Sequence, residues 1–265
     1  MAIENFKPTI WRARLLSNLQ KSHVLAGIAN REYEGNITAA GDSVKIGSIG
    51  RVTVNDYTGS INYEELEDAS VKLTVDQEKY FAFKVDDVDA AQSNANQMDE
   101  AMSEASYGLS DASDQFLAGF YTDAGITVTE GAFNSVAVYE TITEVAKRLQ
   151  ENNVPADSPK WMVVKPATYQ KMVLAEIDTS TNNISALGAG AVTGALGFDV
   201  FVSNNITNDM AGSYRALAFV EQILDTESLR LENSFSDAVR GLYVYGGKVI
   251  RPDELVNIDL TIAAE

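Results

Sequence analysis

The sequence predicts an α+β subunit that is extended, not compact, and three observations carry that reading. From Val71 to Val85 the odd positions (Val71, Leu73, Val75, Gln77, Lys79, Phe81, Phe83, Val85) keep one period-two phase, apolar at both ends and polar in the middle. A strand with a polar middle on its inner face rests on two different supports, or on none for part of its length. After the acidic turn Asp86-Asp87-Val88-Asp89 the period changes. Met98, Met102, Ala105, Leu109, Ala112, Phe116 and Phe120 recur at steps of three and four, one apolar stripe on a helix of roughly six or seven turns. Third, the usual catalytic pairings are missing: the chain has one histidine and no cysteine, which leaves the common nucleophile–base pairs almost without members.

Composition bounds the rest. A chain of 265 residues with 45% hydrophobic content can bury a core in one or two domains. Without cysteine there is no disulfide framework and no thiolate metal site. No apolar run approaches the ~18 residues of a membrane span, so no membrane partner is expected. The opening MAIENFKPTIW lacks the basic and apolar regions of a signal peptide.

The formal net charge is −18, which repels nucleic acid and anionic lipid at long range. The charge is uneven. Residues 1–31 carry Lys7, Arg12, Arg14, Lys21 and Arg31 against Glu4 alone, whereas residues 62–123 carry fifteen carboxylates against Lys72, Lys79 and Lys84. One reading is a solvated acidic face with a slightly basic tail. The sharper one lays the basic arm of one copy on the acidic stretch of another.

Along the chain, residues 1–40 read as an N-terminal arm. Pro8 favours an extended start, and a short helix from about Ile10 to Ala29 has Leu15, Leu16, Leu19 and Val24 as its apolar side. His23 is read as structural. Trp11 needs a surface to bury it, in this chain or in a neighbour. Residues 41–78 read as an extended β-ribbon loop: Val44 and Ile46, then Val52 and Val54, with a return limb Val71–Val75 and an acidic tip from Asn62 through Glu64, Glu65 and Glu67 to Asp68. A two-stranded ribbon is marginal alone in water, so a neighbouring molecule should support it.

Residues 124–237 read as a small α/β unit. A helix over about 136–151 carries Val138, Ile142, Val145, Ala146 and Leu149 at helical spacing, capped by Asn134-Ser135 and ended by Asn152-Asn153 and Pro155. Trp161–Val164 is a buried strand, Pro166 starts the next helix, and residues 178–197 form a loop. Phe198, Val200 and Val202 alternate as a strand, and Arg215–Val220 is a further apolar run. Residues 238–265 finish as a hairpin turning at Gly246-Gly247.

Candidate chemistry is thin. Gly188, Gly190, Gly194 and Gly197 are followed by a strand where a phosphate loop needs a helix, so they read as a loop. Asp86, Asp87 and Asp89 lack the spacing of a calcium loop, and acids near a helix N-terminus account for them through the macrodipole. Ser203 lacks the flanking glycines of a nucleophile elbow. No catalytic residue, cofactor or metal site is therefore assigned, and a structural protein is favoured over an enzyme.

The order of parts resembles the major capsid proteins of tailed bacteriophages with the Hong Kong 97-type fold. Gly41-Asp42-Ser43-Val44-Lys45-Ile46 is similar to the start of that family's extended loop. Asp76–Asp87 with Asp89-Ala90-Ala91-Gln92 looks like the opening of its peripheral domain. Gly197–Val200 with Val202-Ser203-Asn204-Asn205 resembles a strand of its axial domain. The resemblance implies an arm at 1–40, a loop at 41–78, a peripheral domain with a spine helix at 79–123, an axial domain at 124–237 and return strands of the peripheral domain at 238–265. It implies a homo-oligomer of pentamers and hexamers tiled into an icosahedral shell around phage double-stranded DNA, assembled in the bacterial host cytoplasm and residing in the virion. It further implies a portal and, because the chain starts at the arm, a separate scaffolding protein. DNA would be confined and not specifically bound. Trp11, Arg12 and Arg14 against Glu64, Glu65, Glu67 and Asp68 are the expected assembly contacts. An encapsulin-like nanocompartment shell is the alternative, and a carboxylate-dependent hydrolase the remote one.

Overall fold

The computed structural model describes residues 24–33, 41, 43–49, 68–86, 97–133, 137–155, 158–179, 194–195, 197–230 and 236–262. Their elements, in chain order, begin with a four-residue helix α1 (Leu25–Ile28) and strands β1 (Ser43–Ile49), β2 (Asp68–Thr74) and β3 (Gln77–Asp86). The long helix α2 (Gln97–Ala118) runs into a 3₁₀ turn, Gly119–Asp123. Then come β4 (Ile126–Phe133), α3 (Ala137–Glu151), β5 (Lys160–Val164), α4 (Pro166–Thr179), β6 (Gly194–Ala195), β7 (Phe198–Val202), β8 (Asp209–Ser213), β9 (Leu217–Arg230), β10 (Ser236–Val249) and β11 (Leu255–Ile262).

The strands form three sheets. β1 and β2 pair antiparallel as a ribbon; β3, β10 and β9 form an antiparallel three-stranded sheet; six strands form a mixed sheet in the order β4-β11-β8-β5-β7-β6. The period-two phase from Val71 to Val85 therefore belongs to two strands, not one, with the break at Val75-Asp76. β2 lies in the ribbon and β3 in the three-stranded sheet. The polar middle marks that change of support.

The helix α2 lies on the three-stranded sheet. Met102, Leu109 and Leu117 pack with Phe81, Phe83, Ile223, Val239, Tyr243 and Tyr245. Its buried face is wider and more polar than the expected stripe. Ala105, Ala112 and Phe116 are only half-buried, while Ser106, Ser110, Ser113 and Asp114 are buried. The reason is a second covering element: α1 lies against α2 with Leu25, Ala26 and Ile28 buried. The expected helix from Ile10 to Ala29 is described only for this final piece; residues 10–23 lie outside the described residues.

The six-stranded sheet is covered on both faces, which is why β5 reads as an unbroken apolar run. Met162 and Val164 face α3 and α4 through Val138, Ile142, Val145, Leu149 and Met172, whereas Trp161 and Val163 face the α2 side. The helix α3 ends as its sequence suggests. Asn153 takes φ 63°, its N–H donates to the Gln150 carbonyl (2.9 Å) and the Val154 N–H donates to that of Leu149 (3.0 Å). This is a Schellman closure, with Val154 and Leu149 both buried in one cluster.

Several expectations are corrected by the strand pairing. Gly246-Gly247 is not a hairpin turn; β10 runs straight through it, paired with β9 on one side. A Cβ on Gly246 would lie 2.3 Å from the Thr74 carbonyl oxygen, so Gly246 admits the β2–β3 junction across the strand. Leu255–Ile262 does not return to the three-stranded sheet. As β11 it pairs parallel with β4 and antiparallel with β8 in the six-stranded sheet. Leu217–Arg230, which falls in the span read as the α/β unit, instead joins β10 in the three-stranded sheet. Strands β4 and β8 carry no signal that the sequence reading used, and Gly194-Ala195, read as loop, forms the short edge strand β6 beside β7.

Candidate functional site

The first described segment of the chain is fixed where α1, α2, β9 and β10 meet. A four-residue helix is too short to stand alone, and α1 has no local cap. Asp114 supplies one from α2: its Oδ2 accepts the Val24 N–H (2.8 Å) and its Oδ1 accepts the Ala26 N–H (3.0 Å). Chain direction is then fixed by β9. The Asn30 N–H donates to the Leu217 carbonyl (2.8 Å) and the Phe219 N–H to that of Asn30 (3.0 Å), a parallel bridge.

Next to this bridge Arg31 pairs with Glu221, whose side chain is 1% exposed. The Arg31 guanidinium also sits 5.9 Å over the Phe219 ring. The Tyr243 hydroxyl donates to the second Glu221 oxygen. Burial first, and then the Glu221 charge, push the Tyr243 phenol well above its ordinary pKa, so it stays a proton donor. Arg31, read from sequence as one of the arm's basic residues toward a neighbour, is thus held by its own subunit.

The root of the ribbon is held in the same region. Ile46, Leu73 and Val75 are buried against Ala218, Val220 and Val244 of β9 and β10. The Gly41 N–H, on a residue with φ +87°, donates to the Val75 carbonyl (2.9 Å). The ribbon thus has its core at its root.

A groove and a cleft stand open on the described residues. A groove of about 480 Å³ runs on the face of the three-stranded sheet away from α2, lined by Tyr80, Ala82, Arg240 and Leu242, with Tyr80 78% exposed. Arg240 Nε donates to Glu227 across its strands (2.9 Å). A polar cleft of about 440 Å³ lies between α2 and the loop after β7, lined by Tyr107, Asp111, Asp114 and Val202 to Asn205. Asn205 Nδ2 donates to Asp111 Oδ1 across it (2.6 Å).

Of the residues expected to make assembly contacts, Trp11, Arg12, Arg14, Glu64, Glu65 and Glu67 lie outside the described residues. Asp68 opens β2, opposite Ile49. Asp87, Asp89, Gly188, Gly190 and His23 also lie outside them, as does the Asn134-Ser135 cap. Ser203 is a turn residue: its Oγ accepts the Asn205 N–H (3.2 Å). Among the described residues no group of three or more His, Asp or Glu side chains is placed to hold a metal ion. None of their helices is long and apolar enough to cross a membrane.

Comparison with known proteins settles what such a subunit is for. The profile of a family described as phage capsid protein matches residues 70–258, well over half of the chain. The chain belongs to the phage capsid protein family. A solved structure from Mycobacterium phage Che8 is 32% identical to this capsid protein, with a TM-score of 0.75 over 89% of this chain and 90% of that one. The capsid of cyanophage P-SCSP1u, at 14% identity, has a TM-score of 0.70 over 86% of this chain and 85% of that one. A virus-like particle from Pyrococcus furiosus, at 13% identity, has a TM-score of 0.60 over 97% of this chain and 100% of that one. The last two likenesses show the fold alone. Comparison with curated proteins gives no match. The capsid protein is a structural, self-associating component of the phage virion with the Hong Kong 97-type fold. The family match favours this reading over a nanocompartment shell.

Proposed function

We propose that this capsid protein forms an icosahedral shell of pentamers and hexamers that encloses phage double-stranded DNA, assembling in the host cytoplasm around a separate scaffolding protein and a portal. It acts as a wall and carries out no catalysis. The observation that carries the reading is the ribbon root. Ile46, Leu73 and Val75 anchor it to the three-stranded sheet, and because a two-stranded ribbon is marginal alone in water, another copy is the support this reading gives to the rest of the loop. In this reading β3, α2, β9 and β10 form the peripheral part, and the six-stranded sheet with α3 and α4 the axial part.

The arm supplies the second contact. Trp11, Arg12 and Arg14 of one copy lie against the acidic tip Glu64, Glu65, Glu67 and Asp68, or against the long helix, of the next. The net charge of −18 supports confinement of DNA without attraction to it. Negative-stain microscopy of the expressed protein, followed by nucleic-acid assay of purified particles, tests this. Closed shells or tubes are expected, with duplex DNA in particles from infected cells. Monodisperse protein under all assembly conditions, or shells filled with an enzyme and no DNA, overturns it.

A further inference from the structure

A small pocket lies at the N-terminus of α4, distinct from the groove and the cleft described above. Its walls are mostly apolar, from Ile142, Met162, Met172 and Ile258, and three polar side chains reach it: Thr141, Thr168 and Asp209. Asp209 is 1% exposed and Thr168 is 3% exposed. Asp209 reaches across from β8, and its Oδ1 accepts the Lys165 N–H just ahead of the helix (2.8 Å). It thereby caps a helix whose own preceding residue, Lys165, has no acceptor in its side chain. Asp209 Oδ2 and Thr168 Oγ1 make no hydrogen bond to protein. Thr141 Oγ1 donates to the Ala137 carbonyl (2.9 Å), which leaves its lone pairs as acceptors.

Size selects the ligand. The cavity is about 10 Å³, and a site needs roughly 10–15 Å³ to take one water. An organic molecule does not fit. A hard cation needs six or more oxygens and would sit against the positive end of α4. A buried water typically makes about three hydrogen bonds; here two groups are otherwise unsatisfied, Asp209 Oδ2 and Thr168 Oγ1, and Thr141 Oγ1 offers a third acceptor.

We infer that this pocket binds a single structural water molecule, which donates to Asp209 Oδ2 and bonds the Thr168 and Thr141 hydroxyls, tying the first turn of α4 to β8 and α3. The water completes the coordination of a buried capping carboxylate whose first oxygen is already used. It is a fixed part of the six-stranded sheet's helical layer.

The test is a density map of the assembled full-length protein at a resolution that shows ordered water. A peak is expected about 2.7–3.2 Å from both Asp209 Oδ2 and Thr168 Oγ1. Ordered side chains with no peak, or Thr168 bonded directly to Asp209 Oδ2, overturn the inference. Thr168→Val should abolish the peak and lower the unfolding midpoint by about 2–4 °C, while Thr168→Ser should keep both as in the unaltered protein. A Thr168→Val protein as stable as the parent also overturns it.

Discussion

Gly246 of β10 lies so close to Thr74 of β2 that a side-chain carbon there would meet the Thr74 carbonyl oxygen at 2.3 Å and the Val75 Cα at 2.8 Å. Both obstructing atoms are backbone, so neither can rotate away. The close approach is what lets the chain leave the ribbon and enter the three-stranded sheet within two residues.

Gly246→Ala should therefore push the β2–β3 junction off β10 and loosen Leu73 and Val75 from Val244. Overpacking of this kind costs about 1–3 kcal/mol. Hydrogen exchange should rise over residues 70–76 while that of α3 stays as before. Unchanged exchange at Leu73 and Val75 would show that the junction tolerates a Cβ. Gly247→Ala should cost less, because its nearest obstacles, at 3.0 Å, are the ends of the Leu117 and Phe120 side chains.

Asp114 holds two backbone donors that have no other way to be satisfied at the start of α1. Asp114→Ala should cost about 2–4 kcal/mol, from two hydrogen bonds to a charged acceptor and two donors left buried or half-buried. Asp114→Asn keeps one acceptor oxygen and should fall between. Urea unfolding, with limited proteolysis at residues 24–30, reads both. Equal stability of the alanine variant would mean that Leu25 and Ile28 alone hold the segment.

How much of this was legible depends on how local each cause is. The helix α3 was readable because its apolar spacing, Asn153 terminus and Pro155 all lie within one stretch. Trp161–Val164 was readable as a run because burial on both faces leaves no alternation. Gly246-Gly247 was misread because the atom that requires glycine, the Thr74 carbonyl, lies far away in sequence, and locally a glycine pair looks like a turn. Strand β8, Asp-Met-Ala-Gly-Ser, has small residues where a strand signal would need β-branched ones. Its Gly212 is explained only by the Glu254 carbonyl 2.8 Å from where a Cβ would be. Asp114 and Arg31 looked like surface charges, and their partners 88 and more residues away decide otherwise. The pocket around Asp209 likewise draws on α3, β5, α4, β8 and β11, and no one segment announces it.

Burial raises the Asp209 carboxyl above its ordinary 3.8, opposed by the neighbouring Thr168 hydroxyl, the Lys165 N–H and the Lys165 charge. The groups facing it are Thr141 from α3, Thr168 from α4 and Lys165 at the β5–α4 junction. A carboxyl that binds its proton more tightly when folded favours the folded state at low pH. That contribution is lost as pH rises from about 3.8 through the raised folded value. Asp209→Asn keeps an acceptor for the Lys165 N–H but removes the ionisation. Its stability relative to the parent should therefore improve as pH rises from 3.8 through the raised folded value. Thermal unfolding across that range measures it. A difference between the two proteins that does not vary with pH would rule out a raised carboxyl here.

Charge in the N-terminal segment separates into two roles that can be measured apart. Arg31 is paired inside its own subunit with Glu221, which is 1% exposed. Removing it as Arg31→Gln leaves a buried carboxylate without its cation, which should cost about 3 kcal/mol, the low end for such a pair because Arg31 itself is 24% exposed. That loss should appear in isolated subunits and vary little with salt. Arg12 and Arg14 have the other role under the proposed arm contact. Each exposed pair with a neighbour contributes about 0–1 kcal/mol, and screening over about 10 Å at 0.1 M removes most of it. Arg12→Glu with Arg14→Glu should leave subunit stability unchanged but slow shell assembly, most of all at roughly 20–50 mM salt. Trp11→Ala should weaken assembly at every salt concentration, by the roughly 2–3 kcal/mol of a buried large apolar side chain. Light-scattering assembly assays beside urea unfolding of the same four proteins separate the roles. If the double arginine variant assembles at low salt as fast as the parent, charge does not hold the arm, and the contact between arm and acidic tip is wrong.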